Sequence, residues 1–273
     1  MSDEDTSQVA PNLHADRPHP ARVYDYLLGG KDNFAADRAA AENGLRANPN
    51  SRIPPRENRA FLRRVVRYLA REAGIRQFLD IGTGIPTSPN VHEVAQAVAP
   101  DARIVYVDND PMVLVHARAL LTSRPTGRTE YIDADLRNVE GLLASPQLRA
   151  TIDLDQPVGL LLIAIMHFVG DDDDPYGIVE RLRAALPSGS YLALSHLTGD
   201  FDAAAWEGVA EVYRRTGVTL QVRSRAEIER FFAGFEMIEP GVQVLPAWRP
   251  DADAGVPPTD VQVSVYGGLA RKS

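Results

Sequence analysis

The sequence predicts an α/β fold: a mostly parallel sheet with helices on both faces, preceded by an N-terminal helical extension. Three observations carry that expectation. From residue 77 onward, apolar strand-like runs alternate with helix-like segments, the rhythm of strand–helix–strand units. One run, "VGLLLIAIM" from Val158, is almost unbroken in its apolarity, as suits a central strand covered on both faces. The first strand runs into "FLDIGTGIPT" (Phe78 to Thr87), where Gly82 and Gly84 permit a sharp turn toward a helix.

Taken in order, residues 1–18 are polar and rich in Asp, Ser, Pro and His, the composition of a disordered tail. Residues 19–74 read as a helical lid or cap. "ARVYDYLL" stops at Gly29-Gly30. "FAADRAAAENGLR" ends before Asn48-Pro49. "PPRENRAFLRRVVRYLAREAG" has proline at its start and Gly74 at its end, with Phe61, Leu62, Val65, Val66 and Leu69 on one face.

Residues 75–273 form the α/β domain. Its expected strands are Gln77–Ile81, Arg103–Val107, Glu130–Ile132, Val158–Ile163 and Ser190–Ser195, with helices near 88–99, 111–123, 138–149 and 174–186. Ser88-Pro89 and Asp110-Pro111 each place a capping residue ahead of a proline at the first helical position. Beyond residue 200 come a helix over about 203–216 and a shorter one opened by a Ser224/Glu227 capping box. Two last strands are expected near 236–245 and 261–269, joined by "PAWRPDADAGVPP".

The composition sets limits. Of 273 residues, 44% are hydrophobic and 24% charged, enough for a sizeable core. There is no cysteine, which excludes disulfides, thiolate zinc sites and cysteine nucleophiles. With 29 basic and 37 acidic residues the net charge is −8, so no nucleic-acid partner is expected. No apolar run reaches the roughly 18 residues of a membrane span. The acidic, polar start is unlike a signal peptide. The expected setting is the cytoplasm, and a homodimer is compatible with the sequence.

The glycine turn admits two readings. A dinucleotide fingerprint wants G-x-G-x-x-G, but Thr87 stands in the third glycine position. No Gly-Lys-Ser/Thr follows, so a phosphate loop is excluded. The alternative is the S-adenosylmethionine loop of class I methyltransferases, Asp-x-Gly-x-Gly, matched by Asp80, Gly82, Thr83 and Gly84. Its ligand carries an ammonium and a sulfonium and no phosphate. A carboxylate at the strand tip suits such a ligand and would repel a pyrophosphate. Asp108, 24 residues beyond Gly84 and followed by Asn109, can accept from both ribose hydroxyls. NAD enzymes use the same device.

The chain resembles the class I S-adenosylmethionine-dependent methyltransferases from about Asn58 to its C-terminus. It is more specifically similar to a bacterial, actinobacterial-type branch through "YDYLLGGKDNFAADR", "NRAFLRRVVRYLA", "FLDIGTGIPT", "VYVDNDP", "HFVGDDDDPYGIV" and "LPSGSYLALSH". The resemblance implies a Rossmann-like seven-stranded sheet whose last strand is antiparallel, and S-adenosylmethionine as cofactor. It implies Asp135 as partner of the adenine amine and the Leu136 N–H as a contact to the ring. It implies no particular acceptor. A further likeness, to methyltransferases of the leucine-carboxyl type, implies that Arg59 pairs with the cofactor's carboxylate, with Arg56, Arg63 and Arg64 as rivals.

Other features have two readings each. "GGKDNFAADR" is a helix stop and solvated loop, or a lid placing Tyr24, Gly30, Lys31 or Asn33 on the cofactor. The acids of "GDDDDPYG" solvate a loop and put Asp173 or Asp174 at a helix start, a metal site being the lesser reading. His167 and His196 are structural, or bases beside the acceptor. Trp206, Tyr213, Phe231 and Phe232 read as core. The function expected is methyl transfer to a small molecule. The alternatives are an idle S-adenosylmethionine-binding regulator and an NAD-dependent oxidoreductase.

Overall fold

The computed structural model describes residues 13–120 and 123–273. Of the expected tail, residues 1–12 lie outside the described residues. Its last part is pinned: the buried Arg22 guanidinium donates to the carbonyls of Leu13 (2.7 Å), His14 (3.3 Å) and Arg17 (2.8 Å).

Three helices come first: α1 (Pro20–Leu28), α2 (Ala35–Ala47) and α3 (Ile53–Arg71). The α/β part follows as β1 (Gln77–Ile81), α4 (Val91–Val98), β2 (Arg103–Asp108), α5 (Pro111–Leu120), β3 (Arg128–Asp133), α6 (Val139–Ala144), α7 (Pro146–Thr151) and β4 (Gly159–Ile163). It ends with α8 (Pro175–Ala185), β5 (Tyr191–Leu197), α9 (Ala203–Arg214), α10 (Arg225–Glu229), β6 (Glu236–Met237), β7 (Gln243–Val244), α11 (Asp260–Val263) and β8 (Val265–Arg271). The sheet order is β3-β2-β1-β4-β5-β8-β6, with β7 also paired to β8. Strands β1 to β5 pair in parallel with one another, and β8 runs antiparallel to β5. Every residue of β1 and β4 is buried, as the apolar runs require.

The described residues hold eight strands where seven were expected. The run expected over 236–245 is cut by Pro240, which has no N–H to give a ladder, and by Gly241 at φ 78°. Two short pieces remain, each paired with β8. The helix expected over 138–149 is likewise two, because Pro146 interrupts the ladder and the Ser145 hydroxyl caps the second piece. Helix α4 starts later than expected. Asn90, not Ser88, is its cap, with the Asn90 N–H donating to Glu93 Oε2 at 2.5 Å. The final strand starts at Val265 because Asp260–Val263 form a short capped helix.

The apolar face of α3 lies against the sheet, with Phe61, Val65, Val66 and Leu69 fully buried, each worth roughly 1.5–3 kcal/mol. Arg64, on the same helix, is buried and donates to the carbonyls of Leu245 (2.6 Å) and Trp248 (3.0 Å). Helices α1 and α2 share a small apolar cluster of their own: Val23, Leu27, Ala40 and Ala41. Helix α2 also packs on α9, where Gly208 brings the backbones close, 3.2 Å separating its Cβ position from Ala47. A chain of hydrogen bonds ties these helices to the sheet. The Ala164 N–H donates to the Ser195 hydroxyl (2.9 Å), and that hydroxyl donates to Asn58 Oδ1. Asn58 Nδ2 donates to Tyr24 Oη (3.0 Å), which donates to the Pro55 carbonyl (3.0 Å).

Candidate active site

A cleft of about 290 Å³ opens at the C-terminal ends of β1, β2 and β4, where ligands of open parallel sheets bind. Strand β1 delivers Asp80 and β2 delivers Asp108, both buried. Between them Gly82 and Gly84 turn the chain through left-handed backbone, φ 73° and 67°. A Cβ on Gly82 would stand 2.5 Å from Ile165 Cγ1, so only glycine passes there. The Gly84 N–H donates to Asp108 Oδ2 (2.8 Å) and the Asp110 N–H to Oδ1 (3.0 Å), fixing this carboxylate with lone pairs to spare. Burial raises the Asp80 carboxyl to about 7; Thr83 and Arg59 pull it down and Asp108 pushes it up. Burial also raises Asp108.

The cleft gathers most of the sequence candidates. Asp80, Gly82, Thr83, Gly84, Asp108, Asn109, Asp135, Leu136 and Arg59 all line it. Among the four arginines weighed, Arg59 alone does so, held by the carbonyls of Thr87 and Pro89. Arg64 is committed to the loop below, and Arg56 and Arg63 are exposed. Asp135 carries a companion the sequence reading missed. Arg137 grips it through Nε (2.9 Å) and Nη2 (2.7 Å) and holds its carboxyl below the usual range.

Gly30, Lys31 and Asn33 do not line the cleft. The loop folds instead on the Asp25 carboxylate, which accepts from the Asp32 N–H (2.9 Å) and Asn33 Nδ2 (2.8 Å). It also sits so tightly on Gly30 that a Cβ would meet Asp25 Oδ1 at 1.9 Å. The contact from the cap comes from the other end of α1: His19, Pro20, Ala21 and Tyr24 form one wall. His19 Nδ1 lies 3.0 Å from Asp110 Oδ2. Burial raises the Asp110 carboxyl, but His19 and Arg22 outweigh it and leave it lowered. The one signal for His19 was its place just before Pro20, as a helix cap.

The acidic run is occupied by its neighbours. Asp171 accepts from Arg223 (2.6 Å) and Gln221 (3.0 Å), and Arg137 reaches Asp173 at 3.5 Å. Asp174 caps α8 through the Gly177 N–H (3.1 Å), with Pro175 first in the helix. No cluster of three or more His, Asp or Glu suited to a metal is found among the described residues.

The sequence matches the profile of the S-adenosyl methyltransferase family over residues 6–273. The chain belongs to that family. Its cofactor is therefore S-adenosylmethionine. A DUF574-family crystal structure from Streptomyces avermitilis is 48% identical, with a TM-score of 0.93, covering 96% of this chain and all (100%) of that one. A candidate methyltransferase from Thermobifida fusca is 43% identical, with a TM-score of 0.87, covering 98% of this chain and 99% of that one. No curated protein matches the chain. No helix among the described residues of this methyltransferase is long and apolar enough to cross a membrane.

His167 and His196, the two histidines weighed as bases, do not line the cleft of this methyltransferase. His196 is locked by the Leu197 carbonyl (2.7 Å from Nδ1) and Arg223 (2.9 Å from Nε2), and burial pushes it down to about 3. His167 is buried too, and its basicity falls well below the usual value through burial and the charges of His196 and Arg223. It lines a second, apolar cavity that meets the cleft at Tyr24, Asn58, Ala164 and Phe168. Phe231, Phe232 and Trp206 lie in the core as expected, with Tyr213 packed against it; Trp206 and Tyr213 also line this second cavity.

Proposed function

We infer that this methyltransferase seats S-adenosylmethionine in the cleft and methylates a small-molecule acceptor. One observation carries the reading: two buried carboxylates at adjacent strand tips flank a left-handed glycine turn that holds no lysine or arginine. A buried Asp80 carboxyl raised to about 7 lacks a strong cationic partner and suits a ligand that brings positive charge. The residues fit the cofactor in the following way. Asp80 faces its cationic portion, and the backbone of Gly82, Thr83 and Gly84 allows close approach. Asp108 and Asn109 receive the ribose, Asp135 and the Leu136 N–H the adenine, and Arg59 the carboxylate.

When bound, the cofactor supplies an electrophilic methyl carbon for in-line displacement. The chain's part is alignment and exclusion of water, which can supply several kcal/mol. Tyr24, at the inner wall, is pushed up to about 12 by burial and is neutral, so it orients and does not act as a base. Calorimetric titration with S-adenosylhomocysteine tests the site, and methyl-labelled S-adenosylmethionine incubated with fractionated cell extract tests the acceptor class. Binding with label in the small-molecule fraction is the expected result. Label confined to protein or RNA would overturn the acceptor class, and binding without any transfer would leave an idle cofactor-binding protein.

A further inference from the structure

The second cavity is roofed by α1 and α2, flanked by α9, and floored by the residues that follow β4 and by the end of β5. Its volume is about 70 Å³, and no Asp, Glu, Lys or Arg lines it. Asp37, whose charge reaches Tyr213, is engaged by Arg22 and by the N–H groups of His19 and Phe34.

Three features mark the space as built to be filled. Gly44 sits inside α2, where glycine weakens a helix relative to alanine; a Cβ there would meet nothing within 4 Å, and the room opens into the cavity. Trp206 is 3% exposed, and its Nε1–H meets no acceptor in the protein. His167 lines the same space and faces the Leu197 N–H with Nδ1 at 3.5 Å. An apolar chamber with a few convergent polar groups is the usual form of a small-molecule site.

We propose that this chamber seats the methyl acceptor, and that the acceptor is neutral, with a compact apolar ring or branched end bearing an oxygen that takes the Trp206 N–H. The proposal rests on the methyltransferase reading above. A charged acceptor would bury its charge unpaired among these walls, which disfavours it strongly. The shared wall at Tyr24, Asn58, Ala164 and Phe168 is where donor and acceptor meet. There the acceptor's nucleophilic atom bonds the methyl carbon as the carbon–sulfur bond breaks. The electron pair stays on sulfur, and the acceptor's proton leaves to water through the cleft.

Fluorine NMR with 4-fluorophenol, 4-fluorobenzoate and 4-fluorobenzylammonium, at saturating S-adenosylhomocysteine, tests this. The phenol is expected to bind at least tenfold more tightly than either ion. Gly44→Leu should weaken phenol binding at least tenfold and leave S-adenosylhomocysteine affinity within twofold, which also reports that the variant is folded. Trp206→Phe, the second variant, should weaken 4-fluorophenol several-fold and leave fluorobenzene unchanged. Equal binding of the three probes, or phenol binding indifferent to both variants, would overturn the chamber assignment. Failure of S-adenosylhomocysteine to bind the unaltered protein would overturn the methyltransferase reading instead.

Discussion

On one side of the wall formed by Tyr24, Asn58, Ala164 and Phe168 stands a polar cleft, and on the other an apolar chamber. The cleft is made by local chain geometry. Its carboxylates and glycines each sit at a strand tip or within a few residues of one, so spacing along the chain fixes spacing in space. The chamber is made by helices packing across the fold, its lining drawn from residues as far apart as Val23 and Val265. The two can therefore be perturbed separately, and the expected effects rank as follows.

The largest belongs to the cleft. Asp108→Ala removes the proposed ribose partner and the anchor of the Gly84 N–H. It should weaken S-adenosylhomocysteine by at least 100-fold in calorimetry, about 3 kcal/mol, while 4-fluorophenol binding in the chamber stays unchanged. An equal loss of both would break the division between the two cavities.

Next comes pH. A cationic ligand binds the ionised Asp80, so affinity should fall toward tenfold per pH unit below about 7, where this carboxyl protonates. Without ligand the sign reverses. The folded pKa lies above the ordinary 3.8, so the fold favours the protonated acid, and stability declines as pH rises from about 4 to 7. Asp80→Asn should thus bind cofactor poorly yet raise the melting temperature of the ligand-free protein at about pH 8, with the gain fading toward pH 4. A variant no more stable at pH 8 would show that Asp80 has a cationic partner in the empty fold.

A smaller effect sits on the wall itself. Tyr24→Phe deletes the hydroxyl between Asn58 and the Pro55 carbonyl, and chemical denaturation should show a loss of roughly 1 kcal/mol. Both ligands should weaken together, the one substitution here that couples the two sides. The smallest belongs to the chamber. Gly44→Ala should stabilise the fold by roughly 0.5–1 kcal/mol, with cofactor affinity unchanged.

What the sequence disclosed follows the same line. Asp80, Gly82, Gly84, Asp108 and Asp135 were legible because strand ends and turns are short-range features. The strands themselves were legible from their apolar runs. Arg59 stayed one of four candidates, because choosing among helix arginines requires knowing which face turns to the sheet. Gly30 and Lys31 stand off the cleft: two glycines suggest a mobile lid, but Gly29 ends α1 in left-handed backbone and the missing Cβ of Gly30 serves the close packing of Asp25. The chamber was not legible at all, and His19 only as a residue placed to cap a helix before Pro20. A histidine before a proline has no spacing rule, and that the core residues Trp206 and Tyr213 also line a cavity shows only when α2 and α9 are brought together. The split of the penultimate strand was marked by Pro240-Gly241, a signal outweighed by the apolar residues on either side.

The hydrogen-bonded chain from Ala164 through Ser195 and Asn58 to Tyr24 has a consequence for how such proteins diversify. It sets the partition between the two cavities by a few polar contacts, independent of the side chains that fill the far wall. On the proposed assignment, substitutions on α2 and α9 reshape what is accepted while the donor's seat is inherited intact. A lineage carrying this scaffold is free to change its substrates by drift at the helix pair, with the partition as its fixed hinge.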